Sequence, residues 1–174
     1  MPLIREKASK IRLMGFDVDG VMTDGGLHFT ASGEEIKTFS SLDGHGIKML
    51  AEAGVEVVII SGRSSRALEL RAQNLGVREL HMGVTDKRSC MQKLLATREL
   101  PSSAAGYMGD DLPDLPILRA CGFSAAPVDG HDFVRKHVDY VGTRPAGRGA
   151  VREVCDFLLG AQGLLDTLHA AYLR

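Results

Sequence analysis

Short apolar runs alternate with segments of helical period along most of this chain, and few folds accept that order. The strand-like runs are Ile11–Phe16, Val55–Ile60, Arg78–Met82, Ala104–Met108 and Phe123–Ala126. The helical segments are Gly44–Ala53, Ser64–Leu75, Asp86–Arg98, Asp111–Ala120 and Gly149–Leu168. Such a βαβα succession predicts an α/β fold, a mostly parallel sheet with helices on both faces. Gly54 and Gly76 follow helical runs, where a left-handed closing residue suits glycine. Asp86 can cap the helix behind it, and Pro101 stops the one before it.

One segment interrupts the alternation. Leu27–Thr30 and Glu35–Phe39 are short β-prone runs around Ala31-Ser32-Gly33-Glu34, which predicts a hairpin inserted over about residues 25–40. It is too small for a core of its own, so the expectation is one domain spanning 1–174. The hairpin is left to cover a crevice or to pair with another subunit.

The 174 residues suffice for a sizeable core. A net charge of −1 argues against a general nucleic-acid or membrane surface, so any attraction for anions must be local. Met1–Lys7 lacks the apolar centre of a secretion signal, and no run reaches membrane-spanning length. Cys90, Cys121 and Cys155 are odd in number and widely spaced, reading as small hydrophobes in a reducing compartment. The expected location is the cytoplasm.

Chemistry concentrates at four strand ends: Asp17-Val18-Asp19, Ser61-Gly62-Arg63, Lys87 and Gly109-Asp110-Asp111-Leu112-Pro113-Asp114. In an open parallel sheet those ends share one edge, where ligands bind. Buried carboxylates are costly unless paired or bound to a cation. Asp17 and Asp110 offer the hard oxygen ligands that suit Mg²⁺. Ser61 and Lys87 supply a hydroxyl and a cation for phosphoryl oxygens, and phosphoryl transfer needs mainly positioning and charge neutralisation. Taken singly, Ser61 is a helix cap, Lys87 a solvated lysine, and Arg63, Arg71 and Lys48 surface charges. Their order along successive strands sets them apart.

The four pieces resemble the haloacid dehalogenase superfamily of phosphohydrolases, motif by motif: Asp17 to Asp24, Ser61, Lys87, and Gly109 to Asp114. The resemblance implies a Rossmann-like sheet with Asp17 as nucleophile, Asp19 as general acid and then base, and Ser61 and Lys87 as catalytic partners. It also implies Mg²⁺ held by Asp17, the Asp19 backbone carbonyl and Asp110, with Asp111 and Asp114 orienting that shell. From about Ile11 to about Gln162 the chain is similar to the 3-deoxy-D-manno-octulosonate 8-phosphate phosphatase family. The segments Phe16–Asp24, Ser41–Lys48, Ile60–Arg63 and Gly147–Cys155 carry that similarity.

That narrower likeness implies an enzyme of lipopolysaccharide precursor biosynthesis without a large cap domain. It also implies a homotetramer whose hairpins build a central barrel and whose neighbouring subunits close each site. Substrate contacts would then come from Asp19, Ser40, Ser41, Leu42, Asp43, Gly44, Lys48, Arg63, Arg71 and Lys87. Arg63 and Arg71, eight apart, are expected on one helix face toward one crevice. His45, between two glycines, could touch substrate. Asp24 is expected as a turn residue and Gly147-Arg148-Gly149 as a helix cap. A nine-carbon sialic acid 9-phosphate, or a non-catalytic tetramerisation role, are the competing readings.

Overall fold

The computed structural model describes residues 2–174. Helix α1 (Pro2–Ser9) leads into β1 (Leu13–Phe16), followed by the hairpin strands β2 (His28–Phe29) and β3 (Glu35–Ile36). Then come α2 (Ser41–Glu52), β4 (Glu56–Ile60), α3 (Arg66–Leu75), β5 (Glu79–His81), α4 (Lys87–Thr97) and β6 (Ala105–Met108). The chain ends with α5 (Leu115–Leu118), β7 (Phe123–Ala126), α6 (Asp132–Arg135), β8 (Tyr140–Val141), α7 (Ala150–Ala161) and α8 (Leu165–Ala171).

Six strands form one parallel sheet in the order β5-β4-β1-β6-β7-β8. The chain winds outward from β1 through β4 to β5, then returns to β6 on the other side of β1. That reversal of direction opens a crevice at the C-terminal end of β1. Strand side chains alternate between two cores, as a period of two requires. Val57 and Ile59 join Met14 and Phe16 against α2 and α7, while Val58 and Ile60 join Leu13 and Tyr107 against α4.

The predicted α/β architecture and all five sheet strands are present. Gly54 (φ 89°) and Gly76 (φ 75°) are left-handed as expected, and Asp86 accepts from the Ser89 N–H at 2.9 Å. The hairpin pairs His28 with Ile36 and Phe29 with Glu35, turning at Gly33 (φ 86°). Two helices expected as continuous are not. Gly163 (φ 73°) divides the Gly149–Leu168 segment into α7 and α8. Asp111–Ala120 becomes a 3-10 turn (Leu112–Asp114) and the short α5, because Asp111 and Asp114 cap each other's backbone across that turn. α1, α6 and β8 carry too few apolar residues in register to be read from the sequence.

Candidate active site

Each acidic residue at the crevice is set by the end of a strand. Asp17 follows β1 and donates its N–H to the Met108 carbonyl, which fastens it to β6. Asp110 lies just past β6, and its carbonyl accepts from the His131 N–H at 2.8 Å. Ser61 follows β4; its N–H reaches the His81 carbonyl and its Oγ accepts from the Arg63 N–H at 3.2 Å. Lys87 opens α4 behind its cap Asp86 and is buried rather than solvated.

Lys87 Nζ lies 2.8 Å from Asp17 Oδ1 and 2.7 Å from Asp114 Oδ1. The other oxygen of Asp114 accepts the N–H groups of Asp110 and Asp111 at 3.0 and 3.3 Å. Asp114 thus has both oxygens committed, and its task is to hold Lys87 and shape the Asp110 loop. Asp111 is exposed and caps its own turn through the Leu112 N–H. These residues, with Asp19, Gly62 and Arg63, line a cleft of about 380 Å³.

The electrostatics favour a cation. Ligand atoms of Asp17, Asp110 and Asp114 lie within 4.8 Å of one another, against one lysine. Burial, then the Asp114 charge, pushes the Asp17 carboxyl up to about 7 despite Lys87. Burial, followed by Asp114 and Asp17, pushes Asp110 up to about 8. Burial works against the charge of Lys87, but Asp17 and Asp114 outweigh it and hold its pKa above the ordinary value. Among the described residues, Asp110 Oδ1 is buried without a hydrogen-bond partner. An unsatisfied carboxylate oxygen among like charges is what an oxygen-seeking divalent ion would satisfy, so the donor set fits Mg²⁺.

The residues expected around the sugar separate into two groups. Asp19, Arg63 and Lys87 line the cleft; Ser40, Ser41, Leu42, Asp43, Gly44, Lys48 and Arg71 do not line it within the protomer. Arg63 and Arg71 therefore do not share a crevice. The helix starts only at Arg66 behind its cap Ser65, leaving Arg63 in the loop. Arg71 instead donates to the Ser40 carbonyl at 3.0 Å, in space kept open by Gly44, where a Cβ would lie 2.2 Å from Arg71 Nη2.

Asp43 is buried, and its carboxylate accepts the N–H groups of Gly149 and Arg152 at 3.2 and 2.8 Å. It caps α7 from α2, and the Gly147–Gly149 turn is the helix start that the sequence suggested. Lys48, Ser41 and Leu42 are exposed. His45 meets the Tyr172 hydroxyl at 3.1 Å, and Asp24 accepts from the Gly26 N–H as a turn residue.

Two cleft neighbours escaped the sequence reading. Lys37 forms a close ion pair with Asp19, and Glu35 pairs with Arg63 at 2.8 Å. The signal available was the alternation of charge around Ile36 in the hairpin strand.

A parallel sheet with paired aspartates, a hydroxyl, a buried lysine and a second acidic loop at one edge defines a phosphohydrolase of the haloacid dehalogenase type. No protein-family model matches the chain. The 3-deoxy-D-manno-octulosonate 8-phosphate phosphatase KdsC of Yersinia pestis is 43% identical over 161 residues, 92% of this chain and 86% of that protein. A probable YrbI family phosphatase of Pseudomonas syringae has a TM-score of 0.98 at 45% identity, with 100% of this chain and 99% of that one covered. The 3-deoxy-D-manno-octulosonate 8-phosphate phosphatase of Moraxella catarrhalis, solved with magnesium, phosphate and KDO, has a TM-score of 0.97 at 38% identity, covering 99% of each chain. The chain belongs to the 3-deoxy-D-manno-octulosonate 8-phosphate phosphatase family of the haloacid dehalogenase superfamily.

Proposed function

We propose that this protein is a Mg²⁺-dependent phosphomonoesterase that hydrolyses 3-deoxy-D-manno-octulosonate 8-phosphate to the free sugar acid and phosphate. The reaction belongs to lipopolysaccharide precursor synthesis. The observation that carries this reading is the meeting of Asp17, Lys87, Asp114 and Asp110 in one cleft of a chain similar over its length to phosphatases of that name.

The geometry supports a two-step displacement. Asp17 attacks phosphorus while the phosphorus–oxygen bond to the sugar breaks, and Asp19 gives its proton to the leaving oxygen. Asp19 then takes a proton from water, whose oxygen attacks the aspartyl-phosphate and frees phosphate and Asp17. Lys87 and Ser61 hold phosphoryl oxygens, and Asp114 keeps Lys87 in place. Asp17, Asp110 and the Asp19 carbonyl would hold Mg²⁺, which when bound neutralises charge on those oxygens.

The assembly belongs to the same proposal. The hairpin exposes Leu27, Phe29 and Ile36, an apolar ribbon too small to stand alone in water. Pairing of hairpins into a homotetramer would cover it and bring the Ser40–Lys48 surface and Arg71 of one subunit over a neighbour's cleft. The remaining expectations concern location. Among the described residues no helix is long and apolar enough to cross a membrane. The three cysteines stand as free thiols, which suits a cytoplasmic enzyme. Phosphate release from a panel of sugar phosphates, with and without Mg²⁺, tests the function. Metal-dependent turnover of the eight-carbon ester supports it; no release from any ester would leave only a scaffold.

A further inference from the structure

Lys37 is a lysine on an exposed hairpin, yet its side chain is only 2% exposed. It reaches inward to form a close ion pair with Asp19 Oδ1, and it stands 3.3 Å from Glu35 Oε1. Alternation along the strand puts Glu35 and Lys37 on the same side, while Ile36 between them faces out at 54% exposure. Arg63, from the loop after β4, closes the group, at 2.8 Å from Glu35 and 3.5 Å from Asp19 Oδ2. Four residues from three parts of the chain thus form a ring of alternating charge and zero net charge.

The ring is not symmetrical. Lys37 is enclosed and tight on one oxygen of Asp19, whereas Arg63 is 44% exposed and looser on the other. Arg63 faces the cleft and can yield to an incoming anion. Lys37 does not line the cleft and has nowhere else to go. The Asp19 loop continues into Gly20, which by itself gives little resistance to movement. A carboxyl that delivers a proton must be held within hydrogen-bond reach of the leaving oxygen.

We propose that Lys37 is a positioning residue for the leaving-group step: braced by Glu35, it pins one oxygen of Asp19 so that the other faces the departing sugar oxygen. The hairpin thereby takes part in the chemistry of its own protomer as well as in any contact between protomers. Glu35 balances the lysine charge, so the brace adds no net charge to the site. The inference rests on the assignment of Asp19 as proton donor, and its test separates the two claims.

kcat/KM reports the reaction through cleavage of the ester bond. An alkyl ester such as 3-deoxy-D-manno-octulosonate 8-phosphate needs a proton on its leaving oxygen; p-nitrophenyl phosphate, with a stable leaving anion, does not. Both substrates are assayed with the wild type and with Lys37→Met, Lys37→Arg, Glu35→Gln and Asp19→Asn. A carboxyl misplaced by about 1 Å costs about 100-fold. Lys37→Met is therefore expected to lose about that much on the sugar ester and only a few-fold on the aryl ester, with the sugar-ester KM little changed. Lys37→Arg recovers part of the loss. Glu35→Gln shows a milder version of the same pattern, and it carries the test should Lys37→Met fail to assemble. Equal losses on both substrates in the Lys37 and Glu35 variants, beside a leaving-group-dependent loss in Asp19→Asn, overturn the inference and leave the reaction standing. Equal losses in Asp19→Asn as well overturn both.

Discussion

Gly20 faces the Asp110 carboxylate so closely that a β-carbon on Gly20 would lie 2.1 Å from Asp110 Oδ2. The backbone of Gly20 is also left-handed, at φ 83°. An alanine there pays about 1–2 kcal/mol for its backbone conformation alone. It must also push Asp110 aside. Gly20→Ala is expected to weaken Mg²⁺ binding about 10- to 100-fold, as loss of a supporting contact does at other metal sites. Calorimetric titration with Mg²⁺ checks this; wild-type affinity would show that Asp110 does not hold the ion.

Metal should stabilise the fold through the same carboxylates. At about 100 times its dissociation constant a ligand adds about 2.7 kcal/mol. In a chain of this size that raises Tm by roughly 5–10 °C. Asp110→Asn is expected to lose most of that increment, since it removes a carboxylate whose Oδ1 is buried without a partner. Thermal unfolding with and without Mg²⁺ reads it directly.

The raised carboxyls fix the sign of a pH effect. Asp17 and Asp110 stand up at about 7 and about 8 in the folded protein, against an ordinary 3.8. Without metal, their contribution to stability is fully present below the ordinary value. It is lost steadily as pH rises from there until about 7 to 8. The metal-free protein should therefore lose stability from these groups progressively between about pH 4 and about pH 8. The Tm increment due to Mg²⁺ should grow over the same window, because the ion binds the deprotonated pair. An increment that shrinks with rising pH would contradict this electrostatic account.

Asp43 illustrates what the sequence could and could not tell. The family resemblance places it in the sugar site, but both of its oxygens are engaged by N–H groups at the start of α7, those of Gly149 and Arg152, more than a hundred positions away. Asp43→Ala would leave buried donors without an acceptor, costing about 1–3 kcal/mol. A fall in Tm of roughly 2–12 °C is expected, with Asp43→Asn milder because it keeps one acceptor. An unchanged Tm with a raised KM would return Asp43 to the substrate.

The strands and the acidic edge were legible because apolar runs and paired aspartates are local signals. Asp17, Ser61, Lys87 and Asp110 converge simply because parallel strands end together. Interactions that depend on packing between distant elements were not legible. Arg71 turns under α2 because Gly44 leaves room for it, and no pattern near residue 71 announces that space. Lys37 was hidden for a related reason: a charged hairpin residue looks solvated until the ribbon folds onto the loop that holds Asp19.

The exposed ribbon makes a prediction about assembly. Phe29 and Ile36 are 58% and 54% exposed. Replacing both with glutamate should prevent hairpins from packing together, and light scattering should then show a species smaller than the wild-type assembly. An unchanged mass would place the interface elsewhere.

The central claim is most directly tested by measuring kcat/KM in parallel for 3-deoxy-D-manno-octulosonate 8-phosphate and a nine-carbon sialic acid 9-phosphate. Purified wild type and Asp17→Asn are compared in Mg²⁺. The account predicts a clear preference of the wild type for the eight-carbon ester, and a loss in Asp17→Asn of about 10⁴-fold or more, as expected when a nucleophile is removed. A preference for the nine-carbon ester, or substantial turnover by Asp17→Asn, would contradict it.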